Sequence, residues 1–434
     1  MLKKIGAVGG AVALALCWPF ATGQIGERIY LDTLGQYSNP YMAVTNESYQ
    51  RGYLSSEVVS RVELKDELKF IFEDEGLPTT WYIKHHVRHG FVGVSSNSEV
   101  IIDEKLKPIV TKLWGADVAP VTFTSYTALT RASDFTFRIN PVKAADINGT
   151  SVDFTALTME GKVDADGAGE FHYQLPSATL TTVAREEMVL KGLNGGGKGY
   201  LDGQFWIGNQ DFNLASVSFN DLSTSQGVDV QDITMGMNNV LIQTNPEDPA
   251  ESVLNNSNYI QVGKLTALDG RDYSGINFQM AFSDLNYSAI SHLGTLSETA
   301  NQPLTAQQAK EASAALDQLV SKGLAFAITN FSVTTPEGEV TSNLSLAIAP
   351  GIERISENIA QIAEKMGGEI NLSLPVELVE SSPLLSERVA MLEQNSLVER
   401  DATHYRLNMK IEGDKVVLAS GDQLPLAMLF MLFM

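Results

Sequence analysis

Three short stretches of this 434-residue chain contain residue types that carry out chemistry in other proteins. The glycine-rich run 192–199 has the spacing of a phosphate-binding loop up to Lys198. Gly199, however, replaces the serine or threonine that would hold magnesium. Residues 200–207 alternate like a strand, whereas a phosphate loop must open a helix whose amides face the anion. We therefore interpret the run as a flexible turn between strands.

His85, His86 and His89 are half of the six histidines. Side chains alternate along a strand, so His85 and His89 would share one face while His86 points to the other. Four residues of strand span roughly 13 Å, which is too far for His85 and His89 to bind one ion. Hydrogen-bonded or solvated histidines are a simpler interpretation than a metal site.

The acidic run 164–170 has some carboxylates of a calcium loop, but the third acidic position is missing and glycine comes two residues early. A tight turn explains this run better. The sequence contains no nucleophile elbow, no zinc-protease motif and no cysteine–histidine arrangement. Carboxylates are too frequent to single out an acid–base pair. We expect no catalytic residue, no cofactor and no metal, and therefore no enzyme.

Most elements that would position these residues are strands. Apolar and polar residues alternate, as in half-buried strands, at 135–139, 171–175 and 215–219. Glycine-containing pairs that favour hairpin turns separate strand-like runs at 148–149, 166–167, 337–338 and 413–414. The sequence predicts an α+β fold that is predominantly antiparallel β, with a long curved meander sheet and a few packed helices in the C-terminal half.

Three helices are predicted in that half. A capping box at 305–308 opens the first helix, which Gly323 ends. The second has an apolar seam over 352–366, which is either buried against the sheet or the site of a partner coiled coil, and Gly367-Gly368 would end it. Ser382-Pro383 opens the third helix, whose inward residues are Leu385, Val389 and Leu392.

The N-terminus has the pattern of an export signal. Lys3 and Lys4 precede an uncharged apolar run that ends at Ala21. Because lysines stay on the cytoplasmic side, residues 1–23 predict a signal anchor with the N-terminus inside and the body outside. A cleavable signal and lipidation at Cys17 are the alternatives. A short helical stalk is expected over 24–39.

The body is acidic and free of cysteine. The chain has 30 basic and 52 acidic residues and a formal net charge of −22, which repels nucleic acid. Its one cysteine is Cys17, so the body has no internal disulfide. A polar, proline-bearing stretch at 245–258 predicts a hinge or long loop, which divides the body into a β-rich region over 40–245 and an α+β region over 246–434. The apolar tail 424–434 is too short to span a bilayer and is either a buried strand, a plug or a membrane-touching segment.

Short motifs near both ends of the chain carry a family resemblance. Residues 49–56, Tyr-Gln-Arg-Gly-Tyr-Leu-Ser-Ser, resemble a motif of the YdgA-like family of bacterial envelope proteins, and residues 89–91 and 421–426 resemble that family's His-Gly turn and Leu-Pro-Leu ending. Phe91 stands where proline is expected, and Asp422 replaces an asparagine. The residues that carry the resemblance are Tyr49, Arg51, Gly52, Ser55, Ser56, His89, Gly90, Leu424, Pro425 and Leu426.

The resemblance implies a Gram-negative inner-membrane protein with a periplasmic body, and it supplies no catalytic residues. Arg51 is expected to be either a buried ion-pair anchor or a functional contact. We expect a non-enzymatic protein that handles a lipid or another apolar ligand. The alternative is a structural or assembly factor that acts through protein contacts or self-association. The expected partners are the inner membrane, a lipid or envelope protein and a second copy of the chain, but not nucleic acid.

Overall fold

The computed structural model of the chain describes residues 41–428, except residues 75, 91, 117, 148, 203–204, 244–250, 298–303, 353 and 356–359. The predicted anchor 1–23, the predicted stalk 24–39 and the last six residues of the tail lie outside the described residues. Within the described part, no helix is long and apolar enough to cross a membrane. The fold is mostly antiparallel β with few helices, as predicted.

The chain divides into two compact units. Unit 1 comprises residues 1–198 and 219–225, and unit 2 comprises residues 199–218 and 226–434. The boundary predicted at 245/246 stays a prediction; it falls in a stretch of unit 2 that lies outside the described residues. The long loop predicted through residue 258 is wrong in its last part, because a strand begins at Val253.

Unit 1 contains an antiparallel meander. Its strands are β1 (Met42–Arg51), β2 (Ser55–Leu64), β3 (Thr80–His89), β4 (Gly93–Val100), β5 (Val121–Ala128), β6 (Ser133–Ile139), β7 (Val142–Ile147), β8 (Thr150–Phe154), β9 (Leu157–Val163) and β10 (Gly169–Thr181). Each of the first five pairs with the next. Two further strands, β11 (Glu186–Asp202) and β12 (Phe205–Asp221), have residues in both units.

Strands β6 to β9 form one long hairpin whose two arms are each interrupted once. Phe137 pairs with Met159, and Val142 pairs with Phe154, so β6–β9 and β7–β8 share one register. Pro141 lies at the interruption of the first arm, where it needs no amide hydrogen for the ladder. The predicted hairpins are present: Gly149, Gly167, Gly338 and Gly413 all have positive φ at turns between strands.

Two helices of unit 1 were not predicted. They are α1 (Asp66–Asp74), between β2 and β3, and α2 (Lys107–Trp114), between β4 and β5. Because successive strands alternate in direction, both helices lie at one end of the meander. The turns 52–54, 90–92 and 129–132 lie at the opposite end, which we call the turn end. Leu68 of α1 packs into a core that also contains Val62 and Phe123.

Unit 2 contains a second antiparallel meander. Its strands are β13 (Gln226–Ile242), β14 (Val253–Thr266), β15 (Asp272–Asn286), β16 (Leu324–Thr335), β17 (Gly338–Ile348), β18 (Met366–Pro375), β19 (Glu399–Arg400), β20 (His404–Glu412), β21 (Lys415–Leu418) and β22 (Gln423–Pro425). From β13 to β18 each strand pairs with the next, and β20, β21 and β22 continue the order after β18. The short β19 pairs with β20.

The helices of unit 2 are α3 (Tyr287–Ser297), α4 (Ala306–Ser321), α5 (Ala360–Lys365), α6 (Val376–Ser381) and α7 (Pro383–Gln394). Two of the three predicted helices are confirmed. Thr305 and Gln308 form the capping box of α4. Ser382 caps α7, whose Val389 and Leu392 are buried.

The helix predicted over 352–366 is confirmed in its last part, Ala360–Lys365, and residues 353 and 356–359 lie outside the described residues. Ile352, Arg354 and Ile355 are not helical, and Met366 already begins β18. The Gly367-Gly368 pair lies inside the strand and does not end a helix. A Cβ on Gly368 would lie 2.0 Å from the carbonyl oxygen of Ser345, so the close approach of β17 requires glycine there.

Candidate functional site

Seven of the ten motif residues come together at the turn end of unit 1. Tyr49 and Arg51 end β1, Ser55 and Ser56 begin β2, and His89 ends β3. The other two are the glycines that begin the two turns. A Cβ on Gly52 would lie 2.7 Å from the Ser55 carbonyl oxygen, and a Cβ on Gly90 would lie 2.8 Å from that of Gly93. The motif therefore builds two tight turns.

His89 holds the first turn against the second hairpin. Its backbone N–H donates to the Leu54 carbonyl over 2.8 Å. Its Nδ1 lies 3.4 Å from the Tyr53 carbonyl oxygen, and its Nε2 lies 3.0 Å from Ser56 Oγ. Because a carbonyl only accepts, Nδ1 carries the hydrogen in its contact with Tyr53. These bonds give His89 a positioning role.

A second serine–histidine contact lies four residues further along both strands. His85 Nε2 is 2.8 Å from Ser60 Oγ, and His85 Nδ1 is 2.7 Å from Ser98 Oγ. The chain of bonds continues from Ser98 to Ser96, whose hydroxyl oxygens are 3.4 Å apart. We call these four residues the serine–histidine track. It crosses β2, β3 and β4 on the buried face of the sheet.

The imidazole of His85 is neutral. This side chain is 0% exposed, and desolvation lowers the pKa of His85 to about 3. A neutral imidazole has one donor and one acceptor nitrogen, and the two flanking serines satisfy both. The hydrogen-bonded histidines predicted from the sequence are therefore present.

Burial decides what the two serine–histidine contacts can do. A serine beside a histidine is the arrangement of a nucleophile and its base. Ser56, Ser60 and His85 are all buried, however, so a substrate atom has no approach to them. A fully satisfied polar track inside a sheet instead fixes the register of its strands.

Two other residues singled out in the sequence, His86 and Arg51, lie outside the buried track. His86 points to the opposite face, as predicted, and its Nδ1 donates to the carboxylate of Glu57. This hydrogen bond, with Lys84 at 3.2 Å, lowers the pKa of Glu57 despite some desolvation. Arg51 is exposed, so the expectation that it anchors a buried ion pair is wrong.

The glycine-rich run 192–199 lies inside β11, so its interpretation as a flexible turn is wrong. A Cβ on Gly196 would lie 2.4 Å from the Phe171 carbonyl oxygen, which shows that glycine permits close packing of β11 there. Residues 164–168 form the predicted turn, closed by a hydrogen bond from the Asp164 N–H to the Ala168 carbonyl. Among the described residues, no three metal-ligating side chains are grouped closely enough to hold an ion.

The remaining motif residues belong to unit 2. Leu424 and Pro425 lie in β22, and Leu426 follows them. Leu426 is buried in the hydrophobic core, and its N–H donates to the Asp414 carbonyl over 2.8 Å. The start of the apolar tail is thus a short strand whose residues are exposed or half-buried, followed by the buried Leu426. The expectation of a buried terminal strand is met only in part, and residues 429–434 lie outside the described residues.

An apolar surface in unit 2 was missed by the sequence analysis. Residues that are cross-strand partners share a face of a sheet. Following the partners from β13 to β17 collects apolar side chains on one face, which we call the apolar face. Its residues are Ile233, Met235, Met237, Ile260, Val262, Ile276, Phe278, Met280, Phe282, Phe326, Ile328, Phe331, Val333 and Leu344.

The side of the sheet that contains the apolar face is fully buried at β20 and only half-buried at β13 to β17. On β20, Leu407 and Met409 are fully buried in a core with Val389 of α7. Met409 pairs with Ile370, which pairs with Leu344, so these residues lie on the same side as the apolar face. The side chains of the apolar face itself are half-buried, and Ile260 is exposed.

Three amides interrupt the apolar face at β13 and β14. Asn239 Nδ2 donates to the Trp206 carbonyl over 2.8 Å, and Asn256 Nδ2 donates to Asn239 Oδ1 over 2.6 Å. Asn258 in turn donates to Asn256. This amide ladder places hydrogen-bonding groups beside half-exposed hydrocarbon.

The chain was also compared with known proteins. No curated protein matches it, and no solved structure does. The sequence profile of one family, described as "Bacterial protein of unknown function (DUF945)", matches residues 1–427. Because that match covers nearly the whole chain, including the motif residues near both of its ends, the protein belongs to the DUF945 family of bacterial proteins.

Proposed function

We propose that this protein is a non-enzymatic envelope protein of the YdgA-like type, which binds a lipid or another apolar ligand on the apolar face of unit 2. The observation that carries the proposal is the half-exposed hydrocarbon of that face. Contiguous apolar surface of this extent on a soluble body marks a binding site for an apolar partner. The lysine-led leader supports a tether in the inner membrane, with the body in the periplasm.

The dimensions of the apolar face suit an acyl chain. The row Met237, Met280, Ile328 and Leu344 crosses five neighbouring strands, with the amide side chain of Asn258 on β14 between Met237 and Met280. At about 4.8 Å per strand the row is roughly 19 Å long. One leaflet of a bilayer contains hydrocarbon about 15 Å deep, so a single acyl chain fits along the row.

Covering the face would release substantial free energy. Burying the remaining exposed part of a Phe or Met side chain, at most about a third of it, contributes roughly 0.5–1 kcal/mol. A ligand that covers six such side chains would gain about 3–6 kcal/mol, before the cost of ordering the ligand. That gain favours binding and needs no charged contact.

The test is to identify what the full chain carries. We would extract it from membranes with a copolymer in place of detergent and analyse bound lipid by mass spectrometry. Phe331→Asp places a carboxylate on the apolar face and is expected to remove the bound lipid. Asn330→Asp places the same carboxylate on the opposite face of the same strand and is expected to retain it.

Thermal unfolding of both variants would show that each is folded. A folded wild-type chain that carries no lipid and binds none at micromolar concentration would contradict the proposal. Equal lipid content in the two variants would contradict the assignment to this face.

The second candidate is an assembly factor in which a second copy or an envelope protein covers the same apolar face. Crosslinking in cells distinguishes the two, because a protein partner gives a product of higher mass that Phe331→Asp removes. The sequence analysis offered the apolar seam over 352–366 as another site for a protein partner. Ile352, at the start of that seam, is fully buried and is therefore part of the core, which argues against a partner there.

A further inference from the structure

The turn end of unit 1 exposes four large apolar side chains on three turns. Tyr53 is 94% exposed and Leu54 66% exposed in the first turn. Val92 is 69% exposed in the second turn, and Leu129 is 67% exposed in the third. We call these four residues the turn-end patch. Turn tips usually carry small polar residues, so this composition is unexpected.

Hydrogen bonds hold the three turns side by side. The His89 N–H donates to the Leu54 carbonyl over 2.8 Å, which joins the first turn to β3. The Leu129 N–H donates to the Val92 carbonyl over 3.2 Å, which joins the second turn to the third. Six strands at about 4.8 Å spacing place the patch within roughly 24 Å. The four exposed side chains are therefore held close together at the turn end.

Three arginines lie around the patch. Arg51, Arg88 and Arg131 are all exposed at the turn end, in a chain whose formal net charge is −22, and Asp134 at the start of β6 is an exposed acidic residue beside the third turn. The fourth turn on this end, 164–168, contains two aspartates and no large apolar residue. The combination of apolar tips and arginines is therefore confined to the first three turns.

We propose that the turn-end patch is a membrane contact separate from the N-terminal leader. The four apolar side chains would enter the interfacial layer of a bilayer, where tyrosine is favoured. The three arginines would bind the phosphates of anionic phospholipids, since basic residues near such a surface are attracted to it. This inference does not depend on ligand binding by unit 2.

The arrangement fits a bilayer better than a second copy of the chain. A symmetric contact between two identical patches would bring each set of arginines against the other set, and like charges in contact oppose association. A bilayer that contains anionic lipid supplies the opposite charge and receives protruding side chains without needing a complementary pocket.

Unit 1 provides a matched control at its other end. Val183 is 66% exposed in the turn between β10 and β11, and Arg185 follows it at positive φ. Leu129 and Arg131 have the same spacing, and Arg131 also has positive φ. The two turns differ in their end of the meander and in their surroundings, since Glu186 adjoins Arg185.

The experiment uses the full chain with Cys17→Ser, reconstituted into vesicles of phosphatidylethanolamine with or without phosphatidylglycerol. Leu129→Cys and Val183→Cys are each labelled with the environment-sensitive fluorophore NBD. We expect the label at 129 to be blue-shifted and protected from iodide in the anionic vesicles, and the label at 183 to remain in water. Arg131→Gln, combined with the label at 129, should lower the fraction of that label that is protected from iodide about fivefold. Arg185→Gln, combined with the same label, should leave that fraction unchanged.

Two results would overturn the proposal. The first is a label at 129 that is no better protected from iodide than the label at 183. The second is protection that appears without lipid and rises with protein concentration, which would assign the patch to a second copy of the chain.

Discussion

His85 shows how a chemically suggestive residue becomes structural. From the sequence, three histidines close together suggest a metal site or a catalytic site. Alternation along β3 correctly places His86 on the opposite face of the strand from His85 and His89. The sequence did not reveal that Ser60 and Ser98 would bracket His85 at 2.8 and 2.7 Å. That contact depends on the register of β2, β3 and β4, which no local pattern specifies.

The depressed pKa of His85 predicts a pH-dependent stability. The folded-state pKa is about 3, below the ordinary value of 6.5, so the unfolded chain binds the proton first as the pH falls. Stability contributed by neutral His85 is present above pH 6.5 and is lost on acidification, at about 1.4 kcal/mol per pH unit well below that value. Urea unfolding followed by tryptophan fluorescence between pH 6.5 and pH 5 measures it. His85→Gln keeps hydrogen-bonding groups and should remove this part of the slope; an unchanged slope would contradict the prediction.

Removing one hydroxyl of the serine–histidine track should destabilise unit 1. Ser98→Ala leaves a ring nitrogen of His85 unpaired inside the sheet, which costs about 1–3 kcal/mol. Ser95→Ala on the exposed face of β4 is the matched control and should change the free energy of unfolding by less than about 0.5 kcal/mol. Equal effects of the two substitutions in urea unfolding would exclude the track as a source of stability.

At the scale of elements, the success of the sequence analysis depended on length and on local signals. Helix α4 was predicted because its capping box and apolar stripe are both local, and β6 was predicted from alternation. Helices α1 and α2 were missed because nine and eight residues give little helical periodicity. The helix predicted over 352–366 was extended into β18 because a glycine pair that signals a helix end is equally compatible with two close strands.

The two glycines of β18 give a test of that explanation. Gly368→Ala would place a Cβ 2.0 Å from the Ser345 carbonyl oxygen, whereas the nearest atom to a Cβ on Gly367 is 3.8 Å away. We expect Gly368→Ala to destabilise unit 2 by about 1–3 kcal/mol through overpacking. Gly367→Ala, at the next position of the same strand, should be neutral within about 0.5 kcal/mol. Differential unfolding of the two variants measures the contrast, and equal stability would contradict it.

At the scale of the molecule, the meander itself was predictable, because alternation and turn residues recur along the body. The apolar face was not, because it exists only once the partners of β13 to β17 are known. Each strand contributes one to four apolar side chains that look like ordinary alternation on their own. The motif residues showed the same limit: their order in the sequence did not indicate that seven of them build one pair of turns.

The final prediction concerns where the whole molecule resides. The leader and the turn-end patch both favour a body held at the outer surface of the cytoplasmic membrane. In a Cys17→Ser background, Val183→Cys should react with a membrane-impermeant thiol reagent in cells whose outer membrane is permeabilised, because Val183 is exposed on unit 1. Lys4→Cys is the opposite control and should react only after lysis, since the lysines stay inside. Labelling of position 183 only after lysis would place the body in the cytosol and would remove the basis for both membrane proposals.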